Sequence, residues 1–198
     1  MALLQSTAMV DPRELEPERI RPLRRVEYDR MVELGDLDED EHIELLAGTL
    51  VAMSPQGFLH SECAGELMTL LIRRLGDRAS VRAHSPFAAG EYSQPEPDVA
   101  VYPPRGYVRS HPDKALLIAE VSDSSLRKDR GIKSAIYAEA GVPEYWIVDL
   151  VHGTVEVRSA PADGHYTRTV THVRDDSIAL VAFPDIVLAT VEFLPPAE

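Results

Sequence analysis

Two carboxylates stand inside stretches otherwise suited to a sheet interior, and this limits what the chain can fold into. Asp98 opens the apolar run Val-Ala-Val-Tyr, just after Pro95-Glu96-Pro97. Glu120 lies near the end of Ala-Leu-Leu-Ile-Ala-Glu-Val-Ser, which begins at Ala115. Short apolar runs bounded by turn signals read as buried strands. An acid within such a strand is costly unless it is paired or holds a cation. Lys133 follows on the helical stretch Asp-Arg-Gly-Ile-Lys-Ser-Ala-Ile-Tyr. Two acids and a lysine in the order strand–loop–strand–helix point to a divalent-metal site built for attack on a phosphate.

The flanking sequence predicts the frame for this site. Residues 1–22 read as a loosely ordered arm, and 23–194 as one domain. A short helix is expected within Leu23–Leu34, a solvated acidic turn over Asp36–Glu41, and a strand pair Ile43–Leu46 and Thr49–Met53 about Ala47-Gly48. Leu59, Cys63, Leu67, Leu70, Leu71 and Leu75 recur at three- and four-residue spacings, which predicts an amphipathic helix over Phe58–Leu75 closed by Gly76. Strands are expected at Ser80–Ala88, Asp98–Tyr102 and Leu116–Val121, with a loop from Pro103 to about His111. A helix from about Leu126 to Ala140 starts behind the capping residues Ser122–Ser125 and stops at Gly141-Val142-Pro143. Further strands follow at Tyr145–Leu150, Thr154–Arg158, His165–Val173, Ser177–Phe183 and Ile186–Val191. The fold class is α/β or α+β, a central mixed β-sheet flanked by helices.

The donor types suit Mg²⁺, with Mn²⁺ as a substitute. Magnesium needs only one or two carboxylates beside water and substrate phosphate. Asp98 and Glu120 would supply those carboxylates if their strands are neighbours, and the Val121 carbonyl another oxygen. Lys133 would orient or help deprotonate the attacking water, or offset charge in the transition state. Tyr137 lies four residues beyond Lys133 and Asp129 four before it, on one helical face. Tyr137 could hold a phosphate oxygen or the water, and Asp129 could fix the lysine. Glu44, in Ile-Glu-Leu-Leu, is a candidate third acid, and His60 could meet phosphate or the carboxylates. Each residue also has a plainer reading. Glu120 could pair with an arginine, Asp98 cap a turn, Lys133 and Asp129 form an exposed ion pair, Tyr137 edge the core, and Glu44 sit on a hairpin surface.

Other chemistries find less support. The single cysteine, Cys63, precludes an intrachain disulfide and reads as a small buried side chain. There is no glycine-rich phosphate loop or nucleophile elbow, and the seven histidines lack zinc-binding helical spacing. No apolar run reaches membrane-spanning length, and a cytoplasmic location is expected. The net charge of −13 opposes a polyanionic substrate. Two basic groups run against it: Arg127, Lys128, Arg130 and Lys133, and Arg73, Arg74, Arg78 and Arg82.

Several of these pieces together resemble a known family. Glu44-Leu45-Leu46-Ala47-Gly48, Met53-Ser54-Pro55, His60, Pro97-Asp98, Ala119-Glu120-Val121-Ser122, Asp129 to Lys133, Tyr137 and Ala140-Gly141-Val142-Pro143-Glu144-Tyr145-Trp146 are similar to the Uma-two family. These are restriction-endonuclease-like proteins of the PD-(D/E)XK nuclease superfamily. The resemblance implies a nuclease core and Mg²⁺-dependent hydrolysis of phosphodiester bonds, with Asp98 and Glu120 as metal ligands and Glu44 in support. It also implies a nucleic-acid substrate, DNA first, and a homodimer. The superfamily lysine normally follows the second acid by two residues. Here Ser122 stands in that position, and the resemblance assigns the role to Lys133 on the next helix. Two alternatives stand beside an endonuclease: a non-catalytic module binding nucleic acid or protein, and a metal-dependent phosphoesterase acting on small nucleotides.

Overall fold

The computed structural model describes residues 20–37, 41–104 and 110–196. Most of the expected N-terminal arm, the centre of the acidic turn and the middle of the Pro103–His111 loop lie outside the described residues. Helix α1 is Arg25–Leu34, the hairpin strands β1 and β2 are Ile43–Leu46 and Thr49–Ala52, and helix α2 is Phe58–Leu75. Strands β3 (Ser80–Ala83), β4 (Val99–Tyr102) and β5 (Leu117–Ser122) follow. Helix α3 begins with a turn at Leu126–Lys128, passes through a π-helical stretch at Asp129–Lys133 and ends as the α-helix Ser134–Glu139. Strands β6 (Glu144–Asp149), β7 (Thr154–Ala162), β8 (His165–His172), β9 (Ser177–Ala179) and β10 (Val187–Ala189) complete the order.

Six strands form one sheet in the order β3-β4-β5-β6-β7-β8. Every pairing is antiparallel except β5 with β6. A parallel pair needs a crossover connection, and α3 supplies it. Side chains alternate across the sheet with period two. Val99, Val101, Leu117, Ala119, Val121, Trp146 and Val148 therefore face one layer, packed on Leu67, Leu71 and Leu75 of α2. Ala100, Tyr102, Ile118, Tyr145 and Ile147 face the other, packed on Ile136 and Tyr137 of α3 together with Leu46 and Phe87. This alternation places Glu120, two residues after Ile118, on the α3 side.

Smaller elements close the two layers. The β1–β2 hairpin turns through Ala47 (φ 47°) and Gly48 (φ 78°), the pair of left-handed residues that a tight hairpin requires. Leu45 pairs with Gln94, which ties this hairpin to the segment leading into Asp98. β9 and β10 form a separate two-stranded sheet, and Ile178, Leu188 and Phe193 extend the α2-side core.

Three expected strands are markedly shorter than the sequence suggests, among them Ile186–Val191, which is a strand only over Val187–Ala189 before a 3₁₀ turn at Thr190–Glu192. The Ser80–Ala88 strand stops at Ala83, because His84 turns the chain with a left-handed φ of 46°. Ser177–Phe183 shrinks to Ser177–Ala179, because after Leu180, whose N–H still bonds to Ile186 in the same register, the chain turns through Phe183, whose N–H donates to Leu180. Conversely, β7 runs to Ala162, four residues past the expected end, because β8 continues to pair with it. Among the described residues, no helix is long and apolar enough to cross a membrane.

Candidate active site

The register of the sheet brings the two strand acids together. Val99 lies opposite Ala119, so Asp98, one residue before, and Glu120, one residue after, arrive at the same end of the β4–β5 pair. Both are buried, at 7% and 3% exposure. On α3, Asp129, Lys133 and Tyr137 stand four residues apart on the face that meets β5. The π-helical stretch ends at Lys133, and such local widenings of a helix recur at functional sites.

Glu120 is the centre of the cluster. Its Oε1 accepts from Lys133 Nζ at 2.9 Å and from the Tyr137 hydroxyl at 2.5 Å. Both bonds fall on one oxygen, which leaves Oε2 for the small cavity that Glu120 lines. Lys133 also lies 3.1 Å from Glu44 Oε2, and Lys128 Nζ donates to Glu44 Oε1 at 2.8 Å. Two buried acids and two lysines thus compensate one another, as buried charges must. Glu44 is fully buried, which removes the hairpin-surface reading, and burial of Lys133 and Asp129 likewise removes the exposed ion pair.

Asp98 has a different set of partners. Its Oδ2 accepts from the Val121 backbone N–H at 2.7 Å and lies 3.2 Å from His60 Nε2, in the first turn of α2. Its Oδ1 is 3.4 Å from Gln56 Nε2 and 3.7 Å from His84 Nδ1. Burial works to raise this carboxyl, but His60, the Val121 N–H and Lys133 together hold it below the usual range. Glu120 moves the other way. Burial, aided by Asp98, Asp129 and Glu44 and opposed by Lys133, pushes it up to about 8. Burial also works against the Lys133 ammonium, yet Glu120, Glu44 and Asp129 outweigh it and raise its pKa above the ordinary value. Lys133 therefore keeps its proton at neutral pH.

The structure refines several expectations. Tyr137 is fully buried, and its hydroxyl donates to Glu120, tying that carboxylate to α3. Asp129 accepts from Ser122 Oγ at 2.7 Å and Ser125 Oγ at 2.5 Å, pinning the loop after β5 to the start of α3 without bonding to Lys133. The basic groups divide. Lys128 and Lys133 enter the site, whereas Arg130 pairs with Asp149 and Glu156, Arg74 with Glu192, and Arg78 with Asp185. Cys63 is buried, and its thiol is pushed up to about 12, mainly by that burial. Two site residues escaped the sequence reading. Lys128 counted only as one of several basic residues, and its partner Glu44 lies 84 positions away. Glu96 also lines the cavity, two residues before Asp98 and set between two prolines; that spacing was the signal that could have found it.

The cavity measures about 100 Å³, room for an ion and a few waters, and its walls include Asp98, Glu120, Val121, His60, Lys128 and Lys133. Among the described residues, no group of three or more His, Cys, Asp and Glu side chains is arranged to hold a metal ion. A cation here could draw on the two carboxylates and the Val121 carbonyl, with the remaining positions left to water and substrate. That oxygen-only donor set fits a hard ion such as Mg²⁺ rather than zinc.

Comparison with known proteins places this architecture. The fold matches the crystal structure of a "putative nuclease belonging to DUF820" from Anabaena variabilis, with a TM-score of 0.67 at 18% identity, covering 82% of this chain and 96% of that one. At that identity the match speaks for the fold. A search of curated proteins finds no match. The family model described as "Putative restriction endonuclease" matches residues 25–192, and the chain therefore belongs to the Uma2 family.

Proposed function

We propose that this site hydrolyses phosphodiester bonds of DNA with the help of Mg²⁺. The observation that carries the reading is the convergence on Glu120. A strand-borne carboxylate beside Asp98 receives both an ammonium and a phenol from the neighbouring helix, at the wall of a small polar cavity. When bound, Mg²⁺ would polarise a phosphoryl oxygen and lower the pKa of a coordinated water. Asp98, Glu120 and the Val121 carbonyl would hold it. Tyr137 fixes the rotamer of Glu120. Lys133, still protonated, acts by position and charge, directing the water and offsetting the phosphorane's negative charge rather than serving as a base. Glu44 and Lys128 hold Lys133 in place. The Val121 N–H and His60 orient Asp98, the support that a ligand carboxylate needs.

One site per chain cuts one strand, so the proposal includes a homodimer for double-strand cleavage. The test is nicking of supercoiled plasmid by purified protein in Mg²⁺ or Mn²⁺. Wild type should nick, and Asp98→Ala and Glu120→Ala should each lose at least a hundredfold. Equal nicking by all three would mark a contaminant and remove the support. Two features favour a second reading, a binding module without turnover: Lys133 already occupies one oxygen of Glu120, and the chain carries a net charge of −13. Calorimetric Mn²⁺ titration separates the two, because only the enzyme must take up the ion at Asp98 and Glu120.

A further inference from the structure

A much larger cavity adjoins the site. Its volume is about 800 Å³, within the range of small-molecule pockets. Pro55, Gln56, Glu96 and Asp98 line both cavities, so the two are contiguous. Ile43, Ala52, Met53 and Pro55 give the larger one apolar walls, and Glu96 and His84 are among its polar groups. His84 reaches this position through its left-handed backbone, the kind of local strain that collects at functional sites.

Glu96 is the telling residue. It is half-buried, and its backbone N–H is tied to Glu44 Oε2 at 3.4 Å. Among the described residues, its carboxylate holds no hydrogen bond or ion pair. A half-buried carboxylate without a donor is costly unless something brings one. We propose that this cavity binds an unpaired guanine base adjoining the scissile phosphate, with Glu96 accepting from its N1–H and N2–H₂ groups. The inference rests on the phosphodiester reading of the adjacent site.

Three physical points select this ligand. Apolar walls suit the faces of a flat base, and unpaired bases are held by such stacking surfaces plus contacts to their pairing edge. A carboxylate takes two parallel donors well, and guanine carries two on its Watson–Crick edge. A paired guanine shows only acceptors in the major groove, which a carboxylate repels. The base must therefore be out of its pair, in a single strand or flipped from a duplex.

The probe is guanosine, which is uncharged and needs no metal. Full-length protein in EDTA is titrated with guanosine, inosine and adenosine, and binding is followed by NMR. Guanosine should bind roughly tenfold tighter than adenosine, with inosine, lacking the 2-amino group, between them. Glu96→Gln should erase the preference. Ala52→Trp, at an exposed cavity wall, should weaken all three nucleosides while leaving Mn²⁺ uptake unchanged. Single-stranded DNA and RNA hexamers with one guanine then distinguish the two sources, and either should bind more tightly than the same hexamer annealed to its complement. Equal binding of the nucleosides, an unaffected Glu96→Gln variant, or a duplex bound as tightly as a single strand overturns the proposal. Guanosine binding without nicking would sink the hydrolytic reading alone, and nicking without guanosine preference would sink the pocket alone.

Discussion

Removing the Lys133 ammonium exposes how this cluster is balanced. Lys133 is 3% exposed and touches Glu120 at 2.9 Å and Glu44 at 3.1 Å. Lys133→Met keeps the length of the side chain and removes the charge, leaving Glu120 with only the Tyr137 hydroxyl. Stripping one partner from a buried ion pair costs about 3–5 kcal/mol while Glu120 is ionised, towards pH 8, and less at pH 5, where the carboxyl takes up a proton instead. For a chain of this size that is a fall in Tm on the order of 10 °C. Glu120→Gln should cost far less, about 1 kcal/mol or below, because Lys133 retains Glu44 and the amide oxygen can still accept from Tyr137. The double variant should then recover about 1–3 kcal/mol relative to the sum of the singles, since no stranded Glu120 charge remains. The pH dependence adds a sign. With its folded pKa raised to about 8 against an ordinary 4.5, Glu120 binds its proton more tightly in the native state. Wild type therefore loses stability as pH rises from about 4.5 towards 8, and Glu120→Gln does not, so the gap between them moves in favour of the variant. Urea melts at pH 5, 6.5 and 8 measure all of this. A Lys133→Met protein as stable as wild type at pH 8, or single effects that simply add there, would show that Lys133 does not balance Glu120.

Other expectations follow from the same structure. Leu71 is fully buried between α2 and the sheet, so Leu71→Ala should cost about 2–5 kcal/mol in a urea melt without a change in m-value. Cys63, buried and with its thiol at about 12, should react with a disulfide reagent at pH 8 only as fast as the protein opens, and fully in denaturant. Asp149 is depressed: burial opposes this, but the His152 ring and backbone N–H and Arg130 outweigh it. Its contribution is present above the unfolded carboxyl value and lost as pH falls through the folded one, so Asp149→Asn should flatten the acid limb of the stability curve below about pH 4.

Much of the fold was legible because it rests on local periodicity. The spacing of Leu67, Leu71 and Leu75 defines the α2 stripe, and Ala47-Gly48 defines its hairpin turn. The strand acids were legible because an ion in an apolar run contradicts its surroundings. What stayed hidden was set by tertiary contacts. The end of β3 is fixed by the left-handed turn at His84, which an alternating pattern does not reveal. Lys128 meets Glu44 only because α3 crosses over the β1–β2 hairpin, and Tyr137 turns inward because Glu120 lies beneath it. The bond from His60 to Asp98 depends on the first turn of α2 meeting the β4–β5 end, and nothing near His60 in the sequence signals it.

In the proposed function, Asp98 and Glu120 share one hard cation within reach of Lys133. A crystal soaked in Mn²⁺ and measured at the manganese absorption edge tests it most directly. A single anomalous peak is expected between the two carboxylates, with the Lys133 ammonium facing the waters of the ion and the peak lost in Glu120→Ala. A peak elsewhere, or none at saturating Mn²⁺, would contradict it.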